Sequence, residues 1–221
     1  MSDQSVEDRR RAFRPTARRA GRAPPPLSDG PKLFVVTGPS GAGKGTLIKG
    51  LLARRSDLEL AVSATTRPRR PGEIDGKDYH FLSEEEFLER VERGEFLEHV
   101  VYVSGRYGTL RSEIERIFAA GKSCVLELET IGAKKVQESW PGAVTIFVEA
   151  PSFEELERRL RERATETSGV IEERLEVARR QIEEAADFAY VVVNDDVERA
   201  VGELDGIVTK ELACVGRLSA T

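Results

Sequence analysis

The stretch LFVVTGPSGAGKGTLIKGLL, residues 33–52, decides how this chain folds. Its first four residues are apolar, Thr37 follows, and a glycine ends the run, which predicts a buried strand rich in β-branched side chains over 33–37. Apolar residues then recur at helical spacing from Leu47 to Leu52, which predicts a helix over 44–55. A glycine-rich turn joins the two, so the chain contains a strand–turn–helix unit typical of α/β proteins.

The turn has the spacing of a phosphate-binding loop. It fits the pattern G-x-x-x-x-G-K with Gly38, Pro39, Ser40, Gly41, Ala42, Gly43 and Lys44. The glycines let backbone N–H groups point inward, the helix adds its positive N-terminal end, and Lys44 supplies a charge where β- and γ-phosphates would lie. A purely structural turn is the alternative, but the order strand, turn, lysine and helix favours a nucleotide. Gly45 replaces the usual hydroxyl residue, so either Thr46 or water is expected to meet the magnesium ion.

Apolar strands alternate with helices along the chain, which predicts a parallel sheet covered by helices on both faces. We expect further strands at 59–65, around 96–103, and at 123–129, 143–149 and 189–193. We expect further helices at 83–93, 110–120, 131–139, 152–163, 170–187 and 196–212. Ser83 and Glu86 have the spacing of a capping box. Short strands and polar loops over 59–109 interrupt the alternation and predict an inserted lobe.

The chain has 221 residues and 39% hydrophobic content, which suits one domain over 31–212. Its expected parts are a core of 31–58, 110–163 and 188–212, a lobe of 59–109, a lid of 164–187 and a tail of 213–221. No apolar run approaches the ~20 residues of a membrane span. Two cysteines are too few for a disulfide scaffold, so Cys124 is expected to be a reduced core residue in a cytoplasmic protein.

Residues 1–30 are expected to be a disordered arm. Residues 9–22 carry seven arginines and no acid, and a proline-rich spacer follows. Such a segment buries too little apolar surface to fold alone. It is a solvated extension, the product of a mis-assigned start codon, or a contact for nucleic acid or an acidic partner. The rest of the chain is acidic, so no specific nucleic-acid partner is expected.

Two further polar segments suggest a second anion site. Arg67, Arg69 and Arg70 lie within four residues, and arginine forks suit phosphate because they donate two parallel hydrogen bonds. A solvated basic turn is the alternative for three arginines alone. The segment 95–110 adds a carboxylate, a phenol and a hydroxyl between strand-like runs, which favours a binding site over a solvated turn.

The sequence resembles the guanylate kinases in seven segments that occur in order and cover about residues 32–210. They are GPSGAGKGT (38–46), SATTRPRRPGE (63–73), GKDYHF (76–81), EFLE (95–98), RYGT (106–109), RATET (163–167) and VNDD (193–196). The resemblance implies a nucleoside-monophosphate kinase fold with a core, a GMP-binding lobe and a lid. It also implies the reaction ATP + GMP ⇌ ADP + GDP, with Mg²⁺ accompanying ATP and dGMP as a further acceptor. Assembly into a homodimer is left open.

The resemblance also implies roles for residues of the two polar segments. The phosphate of GMP would be held by Arg67, Arg70, Tyr79 and Tyr107. The guanine would be read by Ser63, Glu98 and Thr109. Guanine offers donors at N1 and N2 and an acceptor at O6, whereas adenine has an acceptor at N1 and would leave Glu98 unpaired. A site built on such hydrogen bonds rejects the wrong substrate by about 10⁴-fold.

One segment departs from the family, which usually carries Asp-x-Asp and then Gln-Gly. Here the sequence is ELETIG, so Glu127 and Glu129 replace the aspartates and Ile131 replaces the glutamine. Strand alternation puts both glutamates on one face at the ligand-binding end of a strand. Exposed strand-end acids are the alternative. We expect Glu129 to assist at the guanine and Glu127 to lie near the magnesium and phosphates.

By the same resemblance, lid and core arginines close on the phosphates, and Asn194 contacts adenine. These arginines are Arg159, Arg163 and Arg174, and Ala164 stands where a hinge glycine is common. Two alternatives stay open: a guanylate-kinase-like binding module without catalysis, and a related kinase for another acceptor such as ribose bisphosphate. The presence of Lys44, Arg163 and Arg174 favours an enzyme.

Overall fold

Five parallel strands form the central sheet of the described chain, which comprises residues 30–102, 104–163 and 168–213 of a computed structural model. In spatial order they are β2 (Leu58–Leu60), β7 (Ser123–Glu127), β1 (Leu33–Thr37), β8 (Val144–Glu149) and β9 (Tyr190–Val193). β1 lies at the centre and is buried along its whole length, as expected for a strand covered on both faces.

Helices cover both faces of this sheet. In chain order the α-helices of the described residues are α1 (Lys44–Arg54), α2 (Glu84–Glu92), α3 (Arg111–Ala119), α4 (Thr130–Ser139), α5 (Phe153–Arg163), α6 (Ser168–Glu183) and α7 (Val197–Ala213). Helix α2 packs on a second sheet and not on this one. Phe34 and Val36 of β1 share a hydrophobic cluster with α1 and α7, whereas Leu33 and Val35 share another with α3 and α4. Each fully buried side chain of this kind stabilises the fold by roughly 1.5–3 kcal/mol. The predicted α/β class, a parallel sheet between helices, is confirmed.

One predicted strand is wrong. The run 59–65 forms two short strands in different sheets, because β2 ends at Leu60 and β3 (Ala64–Thr65) joins a second sheet. Between them the N–H of Val62 donates to the Glu113 carboxylate at 3.2 Å instead of continuing a strand ladder. The chain therefore leaves the central sheet at residues 61–63.

The second sheet has the strand order β4 (His80–Phe81), β3, β6 (Gly105–Leu110) and β5 (Phe96–Tyr102). β5 and β6 are antiparallel, with Glu98 opposite Thr109 and Tyr102 opposite Gly105. Helix α2 covers one face through Phe87, whose ring stacks on Phe96 at 4.4 Å between centroids. The opposite face is left for the side chains of Glu98 and its neighbours.

Helix α5, at the end of the predicted core, and helix α6, in the predicted lid, pack against each other through Leu156, Leu160, Leu175 and Ala178. The predicted helix 170–187 is an α-helix to Glu183 followed by a 3₁₀ turn, Glu184–Asp187. The predicted arm up to residue 29, the hinge residue Ala164 and the tail beyond residue 213 lie outside the described residues.

The expectation for Cys124 is met. Cys124 is buried and unpaired, and burial raises the pKa of its thiol to about 12, so it is an inert core residue. Every helix of the described residues is too short or too polar to span a bilayer.

The capping box of α2 is confirmed. The N–H of Glu86 donates to Ser83 Oγ at 3.1 Å, and the Glu86 carboxylate accepts from the Ser83 N–H at 2.8 Å. Two N–H groups that the helix itself leaves unpaired are satisfied in this way. The carboxylates of the first turn also favour the positive end of the helix dipole.

We expect Ser83→Ala to lower the free energy of unfolding by about 1 kcal/mol, because it removes the cap of α2. Urea unfolding followed by circular dichroism measures this change. Ser112→Ala, at an exposed position in the first turn of α3, is the matched control and should change stability by less than about 0.5 kcal/mol. Equal effects of the two substitutions would contradict the capping role.

Candidate active site

The glycine-rich loop crosses the carboxyl end of β1 in close contact with β8. Gly38 has φ 138°, and a Cβ at this position would lie 2.0 Å from the carbonyl oxygen of Val148. Only glycine therefore allows the loop to follow this path. Lys44, the first residue of α1, folds back over the loop and donates to the carbonyl oxygens of Gly38 at 2.7 Å and Pro39 at 3.1 Å.

The other end of the loop is held by Asn194, the residue after β9. Its Nδ2 donates to the carbonyl oxygen of Ala42 at 2.7 Å. Gly43 has φ 93°, and a Cβ there would lie 2.2 Å from this Nδ2. Asn194 Oδ1 is buried without a hydrogen-bond partner among the described residues. Arg159 adds a bond from its guanidinium to the Asn194 carbonyl oxygen at 3.0 Å, so helix α5 is tied to the same point.

Two carboxylates from the end of β7 face the loop lysine. Burial lowers the pKa of Lys44, and the charges of Glu127 and Glu129 oppose this shift. The Glu127 carboxylate lies 3.5 Å from the place that a Cβ on Gly45 would occupy, so it sits beside the start of α1. Oxygen donors next to the phosphate loop suit Mg²⁺, which enters with ATP as part of the substrate. Thr46, one residue further, is exposed.

A buried acid with a free oxygen lies on the second sheet. Glu98 is 4% exposed, and its Oε1 accepts a hydrogen bond of 2.9 Å from the hydroxyl of Thr109. Its Oε2 is buried and has no partner within the described residues. Burial raises the pKa of Glu98, which the bond from Thr109 partly offsets. A Cβ on Gly132 would lie 3.1 Å from Oε2, so helix α4 approaches this oxygen closely. The arrangement can accept hydrogen bonds from a ligand with adjacent donors.

An arginine and two tyrosines lie beside this acid. Arg67 donates to both oxygens of Glu73, at 2.7 and 3.1 Å, and its guanidinium carbon lies 5.4 Å from the ring centroid of Tyr79. The Tyr79 and Tyr107 rings meet edge to face at 6.0 Å. The bond to Glu73 raises the pKa of Arg67 further above its ordinary value. The group can bind a phosphate with a fixed charge and two phenol donors.

Comparison with known proteins agrees with this geometry. A family model described as guanylate kinase matches residues 30–211. The guanylate kinase of Symbiobacterium thermophilum is 45% identical over 181 residues, 82% of this chain and 86% of that protein. The guanylate kinase of Clostridioides difficile is 44% identical over 185 residues, 84% of this chain and 90% of that protein. A solved guanylate kinase structure from Anaplasma phagocytophilum has a TM-score of 0.68 at 32% identity, covering 84% of this chain and 88% of that chain.

The chain belongs to the guanylate kinase family. This confirms the resemblance that the motifs indicated and the expectation of an enzyme, an ATP:GMP phosphotransferase. The two alternatives, a binding module without catalysis and a kinase for another acceptor, are not favoured. The family assigns no role to an individual side chain of this chain, so the predicted site residues stay predictions and are judged here by their geometry.

The structure brings most predicted residues of this guanylate kinase family member into three groups. The first group consists of the loop, Lys44, Glu127 and Glu129. The second group holds the loop from the other side and consists of Asn194 and Arg159. The third group lines the lobe and consists of Glu98, Thr109, Arg67, Tyr79 and Tyr107. Arg70 is exposed, Ser63 is half-buried just before β3, Arg174 is exposed on α6, and the side chain of Arg163 lies outside the described part of the chain.

Two residues near the site were not singled out from the sequence. Glu73 accepts hydrogen bonds from the guanidinium of Arg67. It lies six residues after this arginine in a proline-rich turn, and from that spacing the ion pair could have been predicted. Tyr102 lies on β5 at an even spacing from Glu98, so alternation along the strand would have placed both on one face.

We expect Gly43→Ala to abolish measurable ATP binding, because a methyl group there collides with Asn194 and forces a left-handed backbone on alanine. Calorimetric titration with MgATP measures the effect, and thermal unfolding checks the fold. Gly206→Ala on α7 is the control, since no atom lies within 4 Å of the added methyl. Its stability should stay equal or rise by up to about 1 kcal/mol. Unchanged ATP binding in Gly43→Ala would contradict the assigned loop geometry.

Proposed function

We propose that this protein transfers the γ-phosphoryl group of ATP to GMP, with dGMP as a second acceptor, and that the residues grouped above carry out the transfer. The observation that carries the proposal for the acceptor is the Glu98 carboxylate, which is buried, bonded once by Thr109 and left with one oxygen unpaired. Guanine presents the N1–H and N2–H donors side by side, which matches a carboxylate. Adenine presents an acceptor at N1 and meets this oxygen with repulsion.

The donor nucleotide binds at the glycine-rich loop. Backbone N–H groups of the loop and the N-terminus of α1 receive the β- and γ-phosphates. Lys44 leaves its contacts with Gly38 and Pro39 and donates to phosphate oxygens, while Glu127 faces the magnesium ion that accompanies ATP. The free Oδ1 of Asn194 is an acceptor for the amino group of adenine.

The acceptor phosphate binds between Arg67, Arg70, Tyr79 and Tyr107, opposite the loop. It is already an anion at neutral pH, so its oxygen attacks the γ-phosphorus without a general base. The transfer then depends on alignment and on positive charge around the moving group, which Lys44 and the lid arginines supply. An arginine in this role raises the rate by ~10³–10⁵. Arg159, Arg163 and Arg174 are the candidates.

A non-catalytic binding module would need neither the folded-back Lys44 nor its facing acids, and a ribose bisphosphate kinase would not need a buried carboxylate that matches guanine. Dependence on Mg²⁺, which the position of Glu127 supports, and a cytoplasmic location are parts of this proposal. Assembly into a homodimer stays a prediction. No specific nucleic-acid partner is proposed.

The deciding experiment is ADP release by the purified protein with MgATP and, in turn, GMP, dGMP, AMP, UMP and ribose bisphosphate. We expect kcat/KM for GMP to exceed that for AMP by about 10⁴, because AMP leaves Glu98 unpaired. Comparable turnover of AMP and GMP would end the assignment of guanine. Turnover of ribose bisphosphate alone would favour a related kinase that acts on this acceptor. Ligand binding without turnover would favour a binding module.

We expect Glu98→Gln to lower kcat/KM for GMP about 10²-fold, because an amide cannot accept from both guanine donors and hydrogen bonds to a charged partner are lost. Steady-state kinetics in the same assay measures this. Glu85→Gln, on the exposed face of α2 in the same lobe, is the control and should leave kcat/KM unchanged. A loss below about threefold in Glu98→Gln would refute the role of this carboxylate.

The raised pKa of Glu98 predicts a pH dependence of GMP binding. The carboxylate accepts both guanine donors only when ionised, and a raised pKa means that it takes up its proton at higher pH than an ordinary glutamate. The KM for GMP should therefore rise as the pH falls through that value. The phosphate of GMP also titrates, so the pH dependence of the KM for GMP is measured for both the wild type and Glu98→Gln. The part of the rise in KM at low pH that is due to residue 98 should be absent from the variant.

A further inference from the structure

Helix α4 of the core runs along β5, the strand that carries Glu98. Gly132, Lys135 and Ser139 are three to four residues apart, so they lie on one face of this helix. A Cβ on Gly132 would lie 3.1 Å from Oε2 of Glu98, which places this face beside the carboxylate. Because β5 is at the edge of the second sheet, the backbone groups on its outer side need partners from outside that sheet.

Lys135 supplies such a partner. Its Nζ donates to the carbonyl oxygen of His99 at 2.5 Å, directly after Glu98 in the chain. Ser139 Oγ lies 3.4 Å from the carbonyl oxygen of Leu97, but a hydroxyl has one proton, and it donates this proton at 2.8 Å to the carbonyl oxygen of Lys135. Lys135 therefore makes the stronger hydrogen bond from α4 to β5, and its positive charge strengthens that bond.

The residues on the two sides of Glu98 are held in different ways. The side chain of Leu97 is buried in a hydrophobic cluster with Ala133 and Val136 of α4. At the other side, a cavity of about 450 Å³ lies between α4 and the lobe, and His99 is among the residues that line it. Packed side chains do not fill this part of the junction, so the backbone at His99 depends on the bond from the lysine.

The charge of Lys135 also acts on the carboxylate itself. Burial raises the pKa of Glu98, and the bond from Thr109 and the positive charge of Lys135 both oppose that rise. The ionised carboxylate is the form that accepts two hydrogen bonds from a ligand with adjacent donors. Lys135 therefore favours the ionised form of the acid whose neighbouring backbone it holds.

We propose that Lys135 is a positioning residue for the acceptor base: by holding the carbonyl group of His99 from the core, it fixes the backbone of β5 and keeps Oε2 of Glu98 directed at the guanine. The inference rests on the proposed function. Glu98 is then held on one side by the packed Leu97 and on the other by the bonded His99. Its carboxylate needs little further ordering when GMP binds, which lowers the entropic cost of binding.

The test measures the KM for GMP, the KM for ATP and kcat in wild type, Lys135→Met and Lys135→Arg. Methionine keeps a long side chain but has neither donor nor charge. We expect the KM for GMP to rise about 3- to 10-fold in Lys135→Met, whereas the KM for ATP and kcat change less than about twofold. Arginine keeps a charged donor and should return the KM for GMP to within about twofold of wild type.

Lys134→Met is the matched control on the same helix. The Nζ of Lys134 pairs with carboxylates after α6, Glu184 at 2.9 Å and Asp187 at 3.2 Å. Its loss removes a lysine and its ion pairs from α4 without touching β5. The KM for GMP should therefore stay within about twofold of wild type.

A double substitution separates positioning of Glu98 from general loss of structure. In Glu98→Ala no carboxylate is left to position, so adding Lys135→Met should not lower kcat/KM for GMP further. Equal rises in the KM for GMP and for ATP, a full effect of Lys135→Met in the Glu98→Ala background, absence of rescue by arginine, or no change in Lys135→Met would each overturn the inference. A wild type that does not phosphorylate GMP would instead overturn the proposed function, and the inference with it.

Discussion

The close passage of the glycine-rich loop between β8 and the residue after β9 is the constraint on which the site depends. The missing Cβ of Gly38 lets the loop touch the Val148 carbonyl, and the missing Cβ of Gly43 makes room for the amide of Asn194. The loop is therefore shaped by two neighbouring strands of the parallel sheet as well as by its own sequence. A nucleotide meets backbone N–H groups that are already oriented, so little further ordering is needed on binding.

The two halves of the acceptor site differ in how well their charges are satisfied. Arg67 has its fork filled by Glu73 and lies against aromatic rings, so it is held in place before phosphate arrives. Glu98 has lost most of its water and keeps a single bond from Thr109, which is unfavourable for a carboxylate and is reflected in its raised pKa. A ligand with two adjacent hydrogen-bond donors removes the free-energy cost of burying this carboxylate. With a ligand that lacks these donors, the cost remains. Under the proposed function, selectivity for the base therefore arises from Glu98, and orientation of the phosphate arises from Arg67.

Local patterns were enough to predict the strand–turn–helix unit, the capping box of α2 and the alternation of strands and helices. Each of these depends on residues close in sequence. The apolar run 59–65 was misread because its composition cannot show that Leu60 and Ala64 belong to different sheets. The bond from Asn194 to Ala42 joins two distant segments, and only the topology brings them together. The motifs of the family placed Asn194 near the nucleotide without showing that it also shapes the loop.

The packing of α5 limits which part of the lid moves. A Cβ on Gly41 would lie 3.1–3.2 Å from side-chain carbons of Leu156 and Leu160, so this helix rests directly on the loop. Both leucines are buried, and Arg159 between them is bonded to the carbonyl oxygen of Asn194. Moving this part of α5 would expose apolar surface and break the bond that ties it to the loop. Under the proposed function, Arg159 therefore stays a fixed charge beside the loop when the lid predicted over 164–187 closes over the phosphates.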